Sequence, residues 1–137
     1  MFKPYSFITV NIFLFGVMLT ACSKDDIADP TSDTAAFTGD FVSAVHPTSG
    51  STSIDQDETT LSLTNFKTDD GPDLNIYLAT NINNVESEYI DLGDIKGVDG
   101  NYTYDLPDNV DYTDFKYVVV WCVAFTVNFG YAELTAQ

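Results

Sequence analysis

The stretch that decides the fold is Tyr117-Val118-Val119-Val120-Trp121-Cys122, close to the C-terminus. It contains no charge and is rich in β-branched and aromatic side chains, which favour an extended chain. Successive side chains of a strand point to opposite faces, and here the residues of both faces are apolar. The run therefore predicts a central strand buried between two layers, with Cys122 at its end.

The chain around this strand repeats with the period of two that is typical of half-buried strands. Apolar and polar residues alternate over 61–64 and 74–78. A third such segment is predicted to place four side chains on one face, namely Phe125, Val127, Phe129 and Tyr131. Gly130, inside that segment, indicates a bulge or a close approach of two backbones.

Turn signals separate these segments, and no segment combines a helical period with helix caps. Asp99-Gly100, between 95–98 and 102–104, is typical of a hairpin turn. The fold class predicted from the pattern is all-β: a single antiparallel β-sandwich of about eight short strands. We assign it to residues 36–137, after a flexible acidic tether over 22–35.

Residues 1–21 have the three parts of an export signal. Lys3 is followed by an uncharged apolar run that is too short for a comfortable membrane span. The run ends in Leu19-Thr20-Ala21-Cys22, which is similar to the cleavage and acylation site of bacterial lipoproteins. We therefore expect Cys22 to carry the lipid of an outer-membrane lipoprotein, facing the periplasm or exposed on the cell surface. A plain N-terminal anchor helix is the alternative.

Charge limits the partners that the mature protein can bind. Cleavage before Cys22 leaves four lysines and no arginine against 21 acidic residues, a formal charge of −17. Such a surface repels phosphate backbones, so we expect no nucleic-acid partner. It is also repelled by anionic headgroups, which leaves the lipid at Cys22 as the predicted membrane attachment.

Counting excludes several kinds of redox centre. With Cys22 acylated, Cys122 is the one remaining thiol, and His46 is the only histidine. An iron–sulfur cluster, a blue-copper site and a dithiol couple all need more ligands or a second thiol. Acidic runs such as 55–58 lack the spacing of an EF-hand loop and are interpreted as solvated loop charge. From composition alone, Cys122 is most simply a small buried hydrophobic residue.

Many short motifs occur in one order that resembles the DM13 domain family, which also occurs in single-domain bacterial lipoproteins. The resemblance covers essentially all of residues 36–135. The motifs that carry it are Phe37-x-Gly39-x-Phe41, His46-Pro47-Thr48-Ser49-Gly50, Leu61-x-Leu63-x-Asn65-Phe66, Gly71-Pro72-Asp73-Leu74, Tyr89-Ile90-x-Leu92-Gly93, Gly100-x-x-x-Tyr104-x-Leu106-Pro107, Val119-Val120-Trp121-Cys122-x-x-Phe125 and Phe129-Gly130-x-Ala132-x-Leu134.

This resemblance implies a module proposed to take part in electron transfer, in which the hallmark cysteine is a redox thiol or a ligand to haem or another metal cofactor. Cys122 matches that cysteine, and His46 and Trp121 are the further candidates for a redox or ligand role. The leading expectation is a non-enzymatic redox or cofactor-binding module with a redox partner protein. The alternative is a cell-surface module that binds a glycan or protein, in which Cys122 only packs the core.

Overall fold

A computed structural model describes residues 34–137, so the predicted signal peptide, Cys22 and most of the tether lie outside the described residues. No helix within 34–137 is long and apolar enough to cross a membrane. The elements are β1 (Phe37–Ser43), β2 (Thr48–Ile54), β3 (Thr60–Thr68), β4 (Leu74–Ala79), a short 3-10 turn (Val85–Ser87), β5 (Tyr89–Asp94), β6 (Asp99–Asp105), β7 (Tyr117–Cys122), β8 (Val127–Glu133) and β9 (Thr135–Ala136). The predicted all-β fold of about eight strands is confirmed.

One strand belongs to both layers of the sandwich. The first half of β1 pairs with β2 and β9, while its second half pairs with β8, always antiparallel. The strand order is β5-β4-β7-β8-β1-β2-β3-β6, with β9 beside β1. We call β5-β4-β7-β8 the thiol layer and β2-β3-β6 the opposing layer. Sharing β1 folds one continuous sheet into two layers around a common core.

The inner core fills the space between the layers. The opposing layer contributes Ile54, Leu61, Leu63 and Phe66, all at most 1% exposed. The thiol layer contributes alternate residues of β4, β7 and β8, including Val118 and Val120. Because each fully buried side chain of this kind stabilises the folded state by about 1.5–3 kcal/mol, this core supplies the main favourable term of folding.

Strand β7 is buried on both faces, as its sequence predicts. It lies between β4 and β8, and residues 118–122 are all buried. Strand β4 is also buried along its whole length, although its alternation predicts a half-exposed strand. The reason is that a second apolar cluster, built on Tyr77, Val119 and Trp121, covers the outer face of the thiol layer. We call this face the aromatic face.

The prediction that four side chains of 125–131 share one face is wrong. Phe125 lies in the turn before β8 and is 65% exposed. Within β8, the register to β7 shifts between Asn128 and Gly130, so Phe129 points into the inner core while Tyr131 joins the aromatic face. Gly130 is needed there because a Cβ would lie 2.3 Å from the side chain of Thr48. The bulge predicted from Gly130 is confirmed, while the close approach at this residue is to a side chain and not to a second backbone.

The hairpin predicted at Asp99-Gly100 is also wrong. These two residues begin β6, which pairs with β3 rather than with residues 95–98. Segment 95–98 instead leaves β5 and crosses between the layers, where Ile95 donates its backbone N–H to the Leu74 carbonyl over 2.8 Å. Gly100 supplies a left-handed φ of 147° at the start of β6 instead of a two-residue turn.

Asp55 organises the turn between β2 and β3. Its carboxylate accepts hydrogen bonds from the backbone N–H of Thr59 and Thr60 and from the Thr59 hydroxyl, at 2.7, 3.0 and 2.9 Å. Burial opposes the charge of this carboxylate, but these hydrogen bonds outweigh it and hold the pKa of Asp55 below its ordinary value. The turn is therefore tightest when Asp55 is ionised.

We predict that Asp55→Ala lowers the free energy of unfolding by about 1 kcal/mol at neutral pH, since several hydrogen bonds are lost at a partly solvated site. A carboxylate with a lowered folded-state pKa stabilises above its unfolded pKa and loses this contribution as the pH falls through the folded value. The gap between wild type and variant should therefore close below about pH 4 in urea titrations. Asp57→Ala, which removes an exposed carboxylate from the same turn, is the control. A gap independent of pH would contradict this role.

Candidate functional site

Cys122 is the last residue of β7 and points into the inner core. It is a free thiol with 0% exposure. Its S–H donates to the backbone carbonyl of Pro72, with 3.1 Å between Sγ and O. Across the layer it is paired with Leu74 on one side and Val127 on the other. The sulfur is thus fixed by strand geometry and by one hydrogen bond.

The chain segments next to this sulfur reach the surface. Pro72, whose carbonyl accepts the thiol proton, is exposed, and Val123, the next residue after Cys122, is 37% exposed. Asp73 has a left-handed φ of 59°, and its carbonyl accepts from the Val123 backbone N–H at 2.9 Å. The loop over 69–73 is therefore a cover between the thiol and solvent at this end of the sandwich. We call it the cover loop.

His46 holds the other end of the cover loop. Its Nδ1 lies 3.0 Å from Oδ2 of Asp69, and its ring stacks on Phe129 with centroids 3.8 Å apart. The Phe129 ring in turn lies against the cover loop, because a Cβ on Gly71 would be 2.8 Å from its Cζ. A chain of contacts therefore connects His46 to the loop above Cys122. One loop therefore contacts two of the three predicted site residues, His46 and Cys122.

Beside this histidine is a shallow cavity of about 200 Å³. Its lining residues are Ser43, Pro47, Thr48, Ser49, Lys67, Thr68 and Asp69. The hydroxyls of Thr48 and Thr68 are 3.1 Å apart and buried at its floor. The cavity contacts the cover loop through Asp69. It does not reach the sulfur of Cys122, because Cys122 is not one of its lining residues.

Trp121 does not join this group. It is adjacent to Cys122 in β7, so its side chain points to the opposite face and packs with Tyr77 on the aromatic face, with ring centroids 6.2 Å apart. The three candidates thus divide into two places. Cys122 and His46 share the cover loop, and Trp121 belongs to the other side of the sheet.

The residues around Cys122 do not fit a haem or another metal cofactor. Within 34–137 there is no group of three or more metal-binding side chains. The sulfur faces packed side chains of both layers, and its S–H hydrogen bond to Pro72 is one that a metal-bound thiolate would not make. A planar macrocycle would have to displace the core between the layers. The site suits the chemistry of a thiol alone.

Comparison with protein-family models gives a match that covers most of the described domain. The family model described as electron transfer DM13 matches residues 40–134, more than half of the chain. The chain belongs to the electron transfer DM13 family. Searches of curated proteins and of solved structures give no match. The resemblance predicted from the sequence motifs is thus confirmed, and the description of the family associates the domain with electron transfer.

Three members of the site could not be assigned from the sequence. Asp69 lies beside His46 because β2 and β3 pair with Thr48 opposite Thr68. Phe129 lies beside His46 because its backbone carbonyl accepts from the His46 backbone N–H at 3.1 Å. Pro72 contributes a backbone carbonyl, and every residue has one, so the residue type does not reveal this role. The available signal was the turn composition of 70–73, which predicts a loop but not what the loop covers.

We predict that His46→Ala loosens the cover loop, since it removes both the bond to Asp69 and the ring stacked on Phe129. Loss of about 1 kcal/mol of local stability should speed labelling of Cys122 by iodoacetamide about fivefold under native conditions. Peptide mapping by mass spectrometry would follow the rate. Lys67→Ala, which removes an exposed ion pair with Asp99, is the control and should leave the rate unchanged. Equal rates in wild type and His46→Ala would contradict the link between His46 and the loop.

Proposed function

We propose that the protein is a lipid-anchored extracytoplasmic redox module in which Cys122 is the reactive group and acts without a metal. The observation that carries this proposal is the position of the sulfur, which is buried while the residue that accepts its hydrogen bond, Pro72, lies exposed in the cover loop. A buried thiol that cannot open is inert, whereas one beneath a single loop is protected from large thiols and reachable by small molecules.

The size of the opening selects the kind of reaction. Exchange with a protein disulfide needs in-line access of a second sulfur, which the layers around Cys122 deny. A small peroxide can enter when the cover loop moves. The Cys122 sulfur attacks one oxygen of hydrogen peroxide, the O–O bond breaks, and Cys122 sulfenic acid and water form. The sulfur loses two electrons and the peroxide gains them.

The return step uses a small-molecule thiol as reductant. One thiol attacks the sulfenic sulfur and releases water, giving a mixed disulfide, and a second thiol displaces it, regenerating Cys122 and yielding the disulfide of the reductant. Within 34–137 there is no second cysteine to resolve the sulfenic acid internally. The module would therefore pass two electrons from a soluble thiol to a soluble peroxide. The peroxide reacts in the first half of the cycle and the thiol in the second half.

We predict that dilute hydrogen peroxide oxidises Cys122 in the folded full-length protein, trapped as a dimedone adduct and located by peptide mapping. The matched control is the double variant Val120→Cys with Cys122→Ser. It moves the thiol two residues along the same inner face of β7, to a position that is also 0% exposed but is not beneath Pro72. Wild type should react at least about tenfold faster, a difference of about 1.4 kcal/mol in the barrier.

Two results would contradict a redox role for the thiol. One is a Cys122 that reacts only after urea unfolding, and the other is equal rates in wild type and the control. Either result would leave Cys122 as a packing residue. Oxidation that is reversed by a small thiol, with unchanged circular dichroism, would support the cycle.

The membrane attachment belongs to the same proposal. Leu19-Thr20-Ala21-Cys22 resembles an acylation site, and the 22–35 segment is long enough to hold the domain off the outer membrane. A peroxide-reactive thiol is useful in that compartment, where oxidants arrive from outside and dithiol pairs are readily closed into disulfides. A single thiol cannot form a disulfide within its own domain.

We predict that Cys22→Ala leaves the signal uncleaved or releases the protein from the membrane fraction, because several acyl chains each bury many methylenes at about 0.8 kcal/mol apiece. Fractionation and intact-mass measurement would show it. Ser23→Ala, next to the site, is the control and should be processed normally. Normal cleavage and membrane recovery of Cys22→Ala would rule out acylation there.

A further inference from the structure

The aromatic face contains four tyrosines and a tryptophan whose rings contact one another. Tyr77 stacks on Tyr89 with centroids 4.4 Å apart and planes 10° from parallel, and on its other side lies Trp121. Tyr117 and Tyr131 meet edge to face at 6.0 Å on the same surface. Tyr89 is 43% exposed, so the stack opens to solvent at one edge.

Beside these rings is a row of three side chains, each of which has one buried polar atom without a hydrogen-bond partner. Asn75, Trp121 and Asn128 are direct cross-strand neighbours on β4, β7 and β8, so they share the aromatic face. Each has a buried polar atom without a partner: Asn75 Oδ1, Trp121 Nε1 and Asn128 Oδ1. Asn75 and Trp121 are both 7% exposed. Two acceptors thus flank one donor, and unpartnered buried polar atoms are costly.

We infer that this row, with the Tyr77–Tyr89 stack, is a binding site for a neutral saccharide. Sugar hydroxyls both donate and accept, so adjacent hydroxyls can donate to the two amide oxygens and accept from the indole N–H. The apolar face of a sugar ring packs on the adjoining tyrosines, as small ligands pack in sites that combine aromatic walls with a few fixed polar groups. The inference does not rest on the redox role, because Cys122 points to the other face of β7.

The charges around the row favour an uncharged ligand. Asp91 accepts two hydrogen bonds from Asn75 Nδ2, both 3.0 Å, which fixes the amide with its oxygen free. Burial, and next the negative charge of Asp91, raise the pKa of Tyr77 to about 12, so its hydroxyl stays protonated. The cation at this face, Lys116, is already paired with Glu133 at 2.7 Å. Acidic sugars would therefore meet repulsion without a compensating cation.

A loop of the same layer can open the site. Ile82 and Val85, between β4 and β5, pack on the aromatic cluster. The hydrogen bonds of this loop lie largely within it, from Asn84 N to the Asn81 carbonyl and from Ser87 N to the Asn84 carbonyl. At its base, Thr80 N donates to the Glu88 carbonyl at 3.3 Å. The loop can therefore move as a unit and leave the strands paired.

The sole tryptophan of the chain is in this row, so its fluorescence reports on the site directly. We expect maltotriose, cellotriose, mannotriose or triacetylchitotriose, titrated to about 10 mM, to shift the Trp121 emission of the full-length protein. The protein is held in a detergent without a sugar headgroup. Sialyllactose, which is anionic, should bind at least about tenfold more weakly than the best neutral trisaccharide.

One variant tests the row, one tests the tyrosine stack, and a third is the control for loss of a buried polar atom elsewhere. Asn128→Ala and Tyr89→Ala should each weaken binding about tenfold, which is about 1.4 kcal/mol. Tyr112→Phe removes an equally unpartnered buried hydroxyl from the inner core and should bind as wild type does. Calorimetric titration repeats the measurement without relying on fluorescence.

Several outcomes would overturn the inference. One is the absence of a response to all four neutral trisaccharides, and another is unchanged binding in Asn128→Ala. A third is a crystal structure in which an ordered water bonds to the three atoms and persists after soaking with the trisaccharides, which would make the row a structural water site. A response to an unrelated extended peptide but to no saccharide would also overturn it.

Discussion

The need to bury both faces of β7 determines most of the molecule. Val118, Val119 and Val120 are each 0% exposed although they alternate between the two sides of the sheet. A single opposing layer covers one side only, so the other side requires its own apolar cover, which the tyrosines and the loop before β5 provide. Consecutive residues of β7 therefore serve different environments. This is why Cys122 and Trp121, adjacent in sequence, lie in different sites.

Sequence patterns predicted what depends on local periodicity. The two-sided apolar run of β7, the alternation at 61–64 and the special role of Gly130 all reflect the period of two, and each is found in the structure. The family resemblance likewise depended on the order of local motifs, and it is confirmed over 40–134. Cys122 was a candidate because it matches the hallmark cysteine of the family that these motifs resemble.

What sequence could not predict depends on pairing between distant segments. The bulge at Asn128–Gly130 reverses the expected face of Phe129 relative to Tyr131, and a one-residue shift of this kind has no unique signature in composition. The Asp99-Gly100 pair was assigned to a turn because its residue types favour one, whereas tertiary pairing with β3 places it in a strand. The bond from His46 to Asp69 spans 23 residues and follows from the register of β2 against β3, which places Thr48 opposite Thr68.

The negative charge of the protein affects which ligands can approach both proposed sites. The chain carries a formal charge of −16, and the lysines within 34–137 are already in use: Lys67 pairs with Asp99, Lys116 with Glu133, and Lys96 contacts the Thr103 carbonyl and the Tyr104 ring. An anion approaching either face therefore meets a repulsive field and no free cation in this part of the chain. Hydrogen peroxide and neutral saccharides are uncharged and escape that repulsion. We therefore expect the same field to repel nucleic acid and to favour small neutral molecules at the two proposed sites.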